Sequence, residues 1–323
     1  MTGMTMHKHS LIIDTDPGVD DALALLVAAY SPEIEIVGLT TIFGNVSVEQ
    51  ATRNAGYLVS LMPRKVPVAQ GASTPLVQPL HPYPDFVHGH NGFGDIALDY
   101  PADFAPIGQS AAQFIVDQIN ARPGEITLVP LGPLTNIALA LRLCPAIAHK
   151  VKQVVLMGGA IRRGGNVSPS AEANIWNDPH AAQAVFSAPW PIVMVGLDVT
   201  HQTIMPEARM QALRGVSPKV GNFVADITAF YANFYRNTAG FDGFSVHDPA
   251  TVVQILRPEL FGTQRGQVEV VTEGIACGTT LFGPAGFPYA EPGWGQRENV
   301  EVCLSVDGAA VLQVIEDALR TAP

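Results

Sequence analysis

Four aspartates lie within eight residues near the start of the chain, in the segment DTDPGVDD at positions 14–21. Asp14 and Asp16 are two residues apart, so an extended strand would project both side chains to the same side. Asp20 and Asp21 would stand at the start of the next helix, where free N–H groups and the helix dipole favour negative charge. Four carboxylates held together at pH 7 require a compensating cation or bound protons. An all-oxygen ligand set favours calcium or magnesium over zinc.

A purely structural role is the alternative for each aspartate taken alone. Asp14 could stabilise a turn, and Asp20 could cap the helix. However, the cluster follows the short apolar segment 11–13, a predicted strand, and precedes the apolar segment 22–27, a predicted helix. Ligands of open α/β sheets bind at the carboxyl ends of the strands. This position favours a ligand site.

Two further sets of polar residues occur later in the chain. His247 and Asp248 open a predicted helix, where Asp248 either caps the helix or reaches the acidic cluster as a distant metal ligand. Glu172 and Asn174, with Asn166, lie in a polar loop after a predicted strand. Two amides and a carboxylate offer both donors and acceptors, which suits the recognition of hydroxyls, as in a sugar. Any one of the three alone would be ordinary loop chemistry.

Several other site types are disfavoured. His88 and His90 have no third histidine or cysteine nearby at zinc-ligand spacing. An EF-hand loop counted from the first aspartate would place Leu25 where a bidentate glutamate belongs. The glycine pairs 158–159 and 164–165 form neither GxGxxG nor a Walker loop, so nucleotide phosphates are not expected.

The elements that must position these residues alternate between short apolar strands and helices. Strands are predicted at 11–13, 34–41, 66–69, 126–131, 154–157 and 192–197, and helices at 48–61, 111–120, from 133 and from 178. A long loop is expected over 71–106, mostly helix over 206–256, two late strands at 268–271 and 300–304 as an edge hairpin, and a final helix at 309–319. This order predicts an α/β fold with an open, mostly parallel twisted sheet flanked by helices and a Rossmann-like core. We expect one domain over 1–323, with a disordered tail over 1–9.

The composition excludes several classes of partner. Of 323 residues, 18 are Lys or Arg and 29 are Asp or Glu, giving a net charge of −11, which argues against nucleic acid and anionic membranes. The three cysteines are scattered and form no CxxC pair, as in a reduced protein. No apolar segment approaches a signal-peptide core or a membrane span. We therefore expect a soluble cytoplasmic protein.

The segment 14–21 resembles the DxDPGxDD signature of the inosine–uridine preferring nucleoside hydrolases. The resemblance continues in family order over about the whole chain, through these segments: 44–45, 131–136, 157–159, 166–174 and 247–249. It implies an enzyme of nucleoside salvage that cleaves the N-glycosidic bond of ribonucleosides. It also implies a homo-oligomer, either a dimer or a tetramer.

The resemblance also implies roles for individual residues. One calcium ion per subunit is bound by the side chains of Asp16, Asp21 and Asp248 and by the main-chain carbonyl of Leu131. Asp16 acts as general base on a metal-bound water, and His247 protonates the leaving base. The residues implied to contact the ribose are Asp20, Asn45, Met157, Asn166, Glu172, Asn174 and Asp248. Ala173 departs from the family, because many relatives carry an aromatic residue there.

The nucleobase pocket is the least determined part of the site. The chain offers His88 and the aromatic residues of 230–235, including Tyr235, although part of this aromatic run suits core packing. We expect broad or pyrimidine-leaning specificity. Two alternatives remain open: a haloacid-dehalogenase-like magnesium-dependent phosphotransferase, which also begins with a strand and DxD, and a non-catalytic nucleoside- or sugar-binding protein.

Overall fold

A computed structural model describes residues 8–323. The strands are β1 (His9–Thr15), β2 (Ile34–Thr41), β3 (Val68–Gln70), β4 (Ile126–Pro130), β5 (Gln153–Met157), β6 (Ile192–Val195), β7 (Ile204–Met205), β8 (Phe244–Ser245), β9 (Phe261–Val270), β10 (Thr280–Pro284) and β11 (Val300–Val306). The helices are α1 (Val19–Tyr30), α2 (Val48–Leu61), α3 (Asp85–His88), α4 (Ala111–Ala121), α5 (Thr135–Leu143), α6 (Ala173–Asn177), α7 (Pro179–Ser187), α8 (Leu197–Thr200), α9 (Glu207–Gln211), α10 (Val220–Thr238), α11 (His247–Leu256) and α12 (Gly308–Arg320). Short 3₁₀ helices occupy Pro145–His149 and Pro258–Leu260.

Nine strands form one sheet in the order β10-β9-β11-β6-β5-β4-β1-β2-β3. Every neighbouring pair from β11 to β3 is parallel, and only β9 runs against its two neighbours. The remaining strands, β7 and β8, form a separate antiparallel pair. The predicted mostly parallel α/β sheet is confirmed. Its parallel strands bring the polar turns that follow β1, β2, β4, β5 and β6 to one edge.

Both faces of the sheet are buried, which explains the nearly uninterrupted apolar strands. In β1, Leu11 and Ile13 face one hydrophobic core while Ile12 faces the other, and all three are fully buried. Strands covered by helices on both sides need apolar residues at consecutive positions. Burying each such side chain contributes about 1.5–3 kcal/mol to folding. This packing makes the carboxyl edge a rigid base for the turns that it carries.

Two expectations about the ends of the chain change. Of the tail predicted over 1–9, residues 1–7 lie outside the described part, whereas His9 begins β1. The late strands at 268–271 and 300–304 belong to β9 and β11, which pair directly but are not joined as a hairpin. The hairpin is formed by β9 and β10, and β10 contains Gly283 and Pro284, residues that rarely occur in strands. A proline is tolerated here because β10 is an edge strand.

No helix within residues 8–323 combines the length and apolar character needed to cross a bilayer.

Candidate active site

The turn between β1 and α1 arranges the acidic segment. Thr15, the last residue of β1, donates its hydroxyl to Asp21 Oδ1 over 2.5 Å. The backbone N–H of Gly18, which caps α1, donates to Asp21 Oδ2 at 3.0 Å. Asp21 thus closes the first turn of its own helix and is fully buried. The end of β1 and the start of α1 together fix its carboxylate.

Asp16 lies in a narrow space between two glycines. A Cβ atom at Gly44 or at Gly132 would overlap a carboxylate oxygen of Asp16, so both positions require glycine. The backbone N–H of Asn45 donates to Asp16 Oδ2 at 2.6 Å, while Oδ1 is buried without a hydrogen-bond partner. Burial, followed by the charge of Asp21, raises the pKa of Asp16 well above its usual value.

Asp248, the second residue of α11, completes the cluster from a distant part of the chain. Carboxylate oxygens of Asp20, Asp21 and Asp248 all lie within 4.8 Å of one another. Burial raises the pKa of all three. Neighbouring carboxylates add to the shift of Asp248 and of Asp20, whose pKa reaches about 8, whereas hydrogen bonds oppose the shift of Asp21. Three carboxylates this close repel each other strongly unless protons or a cation compensate them. The fold thus brings Asp248 next to the first acidic segment, as expected from the sequence.

A divalent cation fits this donor set. Within residues 8–323, Asp16 Oδ1 and Asp20 Oδ1 are buried without hydrogen-bond partners, and the carboxylates of the cluster offer only oxygen ligands, as calcium prefers. The carbonyl oxygen of Leu131, the predicted main-chain ligand, accepts a hydrogen bond from Asn174 Nδ2 at 2.7 Å and keeps a second lone pair. The three-carboxylate group found here includes Asp20, which the resemblance implies only as a ribose ligand.

Asp14 lies behind the cluster rather than in it. Its Oδ1 accepts hydrogen bonds from the Thr40 hydroxyl at 2.5 Å and from Asn136 Nδ2 at 2.8 Å. Burial raises the pKa of Asp14 to about 7. Asn136 also donates to the carbonyl of Thr41 and accepts from the N–H of Ala72. Asp14 and Asn136 therefore tie together the carboxyl ends of β1 and β2 and the segments that follow β3 and β4.

The predicted ribose residues flank the acidic cluster. Asn45 donates its amide to Asp21 Oδ2 at 3.0 Å. Asn174 donates to the carbonyl oxygens of Leu131 and Met157, and its Oδ1 has no hydrogen-bond partner in residues 8–323. Its Nδ2 also lies 3.4 Å from the sulfur of Met157. These contacts leave Asn174 with a free acceptor at the cluster's edge.

Glu172 and Asn166 contribute from the loop before α6. Glu172 caps α6 and accepts hydrogen bonds from the backbone N–H groups of Asn174, Ile175 and Gly159, at 3.0, 3.2 and 2.9 Å. Burial raises its pKa despite these bonds. Asn166 is exposed, and its Oδ1 accepts from the N–H of Ala173 at 3.0 Å. Ala173 is the first residue of α6 and is half-buried.

His247 stands at the other end of the site with both ring nitrogens engaged. Nδ1 is 2.8 Å from the Thr200 hydroxyl, and Nε2 is 2.8 Å from the Tyr235 hydroxyl. Burial lowers the pKa of His247 to about 3, so the ring is neutral at pH 7. The hydroxyl of Tyr231 lies 3.5 Å from that of Tyr235 and donates to Asp20 Oδ2 at 3.4 Å. A chain of hydroxyls therefore joins His247 to the acidic cluster.

His88, at the end of α3, lies beside the same cluster. Its Nδ1 accepts the backbone N–H of Val19 at 3.2 Å, and its ring stacks on Tyr231 with centroids 5.4 Å apart. Its Nδ1 is also 3.9 Å from Asp20 Oδ1, but burial lowers the pKa of His88 to about 3. An Nδ1 that accepts a backbone proton carries none itself, so this contact is not an ion pair. The neutral ring then carries its proton on Nε2.

Two hydroxyls that orient site residues are not singled out by any motif. Thr40 holds Asp14 from β2, and Thr200 holds His247 from α8, which follows β6. Each is a polar residue at or just beyond the carboxyl end of an apolar strand. That position is the signal by which the sequence could have identified them.

Comparisons with known proteins identify the family of this chain. The family model for inosine-uridine preferring nucleoside hydrolase matches residues 11–313. The chain is 41% identical to uridine nucleosidase 1 of Arabidopsis thaliana, over 98% of this chain and 95% of the relative. A solved plant nucleoside hydrolase has a TM-score of 0.93 at 39% identity, covering 98% of this chain and 99% of its own. A purine-preferring ribonucleoside hydrolase from Gardnerella vaginalis has a TM-score of 0.90 at 34% identity, covering 96% and 98%. The chain therefore belongs to the inosine–uridine preferring nucleoside hydrolase family and is a ribonucleoside N-glycosidase.

Proposed function

We propose that this N-glycosidase depends on one calcium ion, uses Asp16 as general base and His247 in protonating the leaving base, and has a broad or pyrimidine-leaning specificity. The observation that carries the proposal is the group formed by Asp20, Asp21 and Asp248, whose carboxylate oxygens lie within 4.8 Å of one another, together with the buried carboxylate of Asp16, whose pKa the charge of Asp21 raises. In the described part of the chain, no Lys or Arg forms an ion pair with any of them. Family membership removes the phosphotransferase and the non-catalytic binding protein as alternatives.

The proposed metal ligands are Asp16, Asp21, Asp248 and the carbonyl of Leu131. Support comes from the unpartnered buried oxygens and from the all-oxygen donor set. When bound, the ion lowers the pKa of water and offsets the negative charge of the cluster. Asp20 stands close enough to serve as a further ligand or, as the resemblance implies, to hold a ribose hydroxyl.

Asp16 is the proposed general base. Its Oδ2 is fixed by the N–H of Asn45, whereas its Oδ1 has no partner and is available to take a proton from water. Cleavage of an N-glycosidic bond develops positive charge on the sugar. The carboxylates around Asp16 stabilise that charge, because a buried site screens them little. One group of residues therefore activates the nucleophile and stabilises the transition state.

The proposed ribose ligands are Asp20, Asn45, Asn166, Glu172, Asn174 and Asp248, with Met157 against the sugar. Asn174 offers a free Oδ1, and Glu172 keeps lone pairs beyond those that hold α6. Acceptors fixed in this way suit the hydroxyls of a ribose. A sugar that lacks one hydroxyl would leave a buried group unpaired.

His247 is proposed to act on the leaving base together with Tyr235. The neutral ring has one N–H. With that N–H on Nε2, the ring stabilises the Tyr235 oxygen as the tyrosine gives its hydroxyl proton to the base, and Tyr235 regains a proton from solvent after the base has left. Neutral donors of this kind give up a proton only as negative charge develops on the base. His88, whose Nε2 makes no hydrogen bond within residues 8–323, is a second proposed contact of the base.

The preference for pyrimidines rests on the relatives. Uridine nucleosidase 1 of Arabidopsis thaliana is named for a pyrimidine nucleoside, whereas the Gardnerella vaginalis enzyme, at lower identity, is named purine-preferring. We also propose a homo-oligomer that works in cytoplasmic nucleoside salvage, and light scattering of the purified protein tests the assembly.

The test is a product assay with uridine and inosine. Chelator-treated protein, repleted with calcium, magnesium or zinc, is assayed for free ribose and free base. The proposal expects full recovery with calcium and a higher kcat/KM for uridine. Activity that survives removal of all metal, or that returns only with zinc, would refute the metal assignment.

A further inference from the structure

The loop between β5 and Asn166 has no regular secondary structure, yet nearly all its backbone N–H groups are satisfied. Gly158 donates to the carbonyl of Val195 at 3.2 Å, Gly159 to Glu172, and Ala160 to the Thr280 hydroxyl at 3.0 Å. The next three N–H groups all point to a single side chain. That side chain belongs to Asp198, which lies on α8 and is not part of any motif.

Asp198 accepts three consecutive backbone hydrogen bonds. Its Oδ2 accepts from Ile161 at 2.7 Å, and its Oδ1 accepts from Arg162 at 2.7 Å and Arg163 at 3.1 Å. The side chain is only 3% exposed. Within residues 8–323 it forms no ion pair with Lys or Arg, and three backbone N–H groups are the donors that its two carboxylate oxygens accept. An amide could replace only one of the two accepting oxygens.

The position of Asp198 is fixed by the core strand before it. Gly196 caps α8 directly after β6, and a Cβ there would lie 2.5 Å from the carbonyl oxygen of Gly159. The backbone N–H of Leu197 donates to the same carbonyl at 2.9 Å. Two residues beyond Asp198, the hydroxyl of Thr200 contacts His247. One short helix therefore supports the loop to Asn166 and the histidine at the opposite end of the site.

Asn166 lies three residues beyond this support, in a turn that Pro169 and Ala171 close through their carbonyls. It is exposed, its side chain makes one hydrogen bond in the described chain, and it follows Gly165, whose N–H donates to the carbonyl of Pro169 at 3.2 Å. Its backbone N–H is held at 3.1 Å by the carbonyl of Ala171. The segment that precedes Gly165 is held by Asp198.

We propose that Asp198 is a positioning residue for ribose recognition, which fixes the backbone of residues 161–163 and thereby places Asn166 at the sugar. This inference rests on the proposed ribose contact of Asn166. Asp198 touches neither the sugar nor the acidic cluster in this assignment. Its removal should therefore alter discrimination between sugars and leave discrimination between bases unchanged.

The test is a double-mutant cycle of Asp198→Asn and Asn166→Ala, measured as kcat/KM for uridine and for its 2′-deoxy, 3′-deoxy and 5′-deoxy analogues. In each single variant, kcat/KM for uridine should fall about tenfold, because fixed hydrogen bonds have been removed. In the Asn166→Ala background, Asp198→Asn should lower kcat/KM for uridine by less than about a further twofold, because the effects of two residues that act through one another are not additive. Both variants should lose discrimination at the same sugar hydroxyl. The uridine-to-inosine ratio should stay that of the wild type.

If the losses of kcat/KM in the two single variants multiply in the double variant, or if Asp198→Asn lowers kcat/KM equally for every analogue, Asp198 only supports the fold and the proposal is overturned. If Asn166→Ala retains wild-type kcat/KM, the ribose role of Asn166 in the proposed function fails, and the positioning role fails with it. Asp307→Asn, which removes a carboxylate that caps α12 through the N–H of Ala310, is the control and should leave activity unchanged. If Asp198→Asn does not fold, Asp198→Glu, which keeps the charge but displaces it, carries the same cycle.

Discussion

The proposed ribose end of the site, around Asp16, Asp21 and Glu172, and the proposed nucleobase end, around His247 and Tyr235, are held in different ways. At the ribose end, Asp16, Asp21 and Glu172 accept hydrogen bonds from backbone N–H groups of turns that leave the sheet. At the nucleobase end, His247 and Tyr235 are held by the side chains around them. Backbone N–H groups hold each of these three carboxylates, with side chains adding to them at Asp21, whereas individual side chains hold His247 and Tyr235.

This difference separates the reaction from its preference for a base. A group anchored by the main chain keeps its place whatever neighbouring side chain is exchanged. A group anchored by side chains moves when one of those side chains is replaced. Tyr235, for example, packs on Phe234 with ring centroids 5.2 Å apart, and Phe234 packs on Phe86 with centroids 5.9 Å apart. We infer that the ribose end sets the chemistry and that the nucleobase end sets which base is accepted.

The largest expected effect comes from Asp16→Asn at the ribose end. The amide keeps the shape of the side chain but cannot take a proton, so kcat should fall by at least ~10³-fold, near the upper range for a general base. The measurement is kcat with uridine, together with circular dichroism to show an intact fold. Asp103→Asn, on an exposed loop, is the control. Turnover within about tenfold of wild type would mean that another group is the base.

The sugar should be discriminated more strongly than the base. Because the amide and carboxylate acceptors of the ribose end are fixed, loss of a hydroxyl leaves a buried group unpaired, and kcat/KM for 2′-deoxyuridine should be about 10²-fold or more below that for uridine. Both substrates carry the same base, so the difference reports the ribose end alone. Equal rates would refute the ribose assignments.

His247→Ala tests the nucleobase end. Inosine and uridine hydrolysis should fall about 10²-fold, because their bases leave poorly without a proton, whereas p-nitrophenyl riboside should be nearly unaffected. Tyr235→Phe, which removes only the hydroxyl that meets His247 Nε2, should show the same dependence on the leaving group. If both substrates slow equally, His247 positions the sugar or the metal instead.

Metal removal should make the ribose end sensitive to pH. Burial raises the pKa of Asp14 to about 7 and of Asp20 to about 8 in the folded chain, from 3.8. Between pH 3.8, the ordinary pKa of an aspartate, and about pH 8, the folded state binds more protons than the unfolded state. The stability of the folded state therefore falls as the pH rises toward about 8. Chelator-treated protein should lose several degrees of Tm between about pH 5.5 and about pH 8, and calcium should restore most of that loss at the higher pH. A Tm that rises with pH without metal would contradict the account.

The sequence predicts the ribose end better than the nucleobase end for a physical reason. Asp16, Asp20 and Asp21 are neighbours in the chain, so one turn determines their proximity. The partners of His247 come from α8 and α10, and only the order of strands and the packing of helices brings Thr200 and Tyr235 together. Asp198 belongs to the same class, because its three backbone donors lie more than thirty residues away.

The most direct test compares kcat/KM for uridine and for inosine in two variants. Asn174→Ala, at the ribose end, should lower both values by the same factor and leave their ratio within about twofold of wild type, since both substrates carry the same sugar. Phe234→Ala, at the nucleobase end, should change the ratio by about fivefold, which corresponds to losing about 1 kcal/mol of aromatic packing. If Asn174→Ala changes the ratio as much as Phe234→Ala does, the two ends are not separate and the account is wrong.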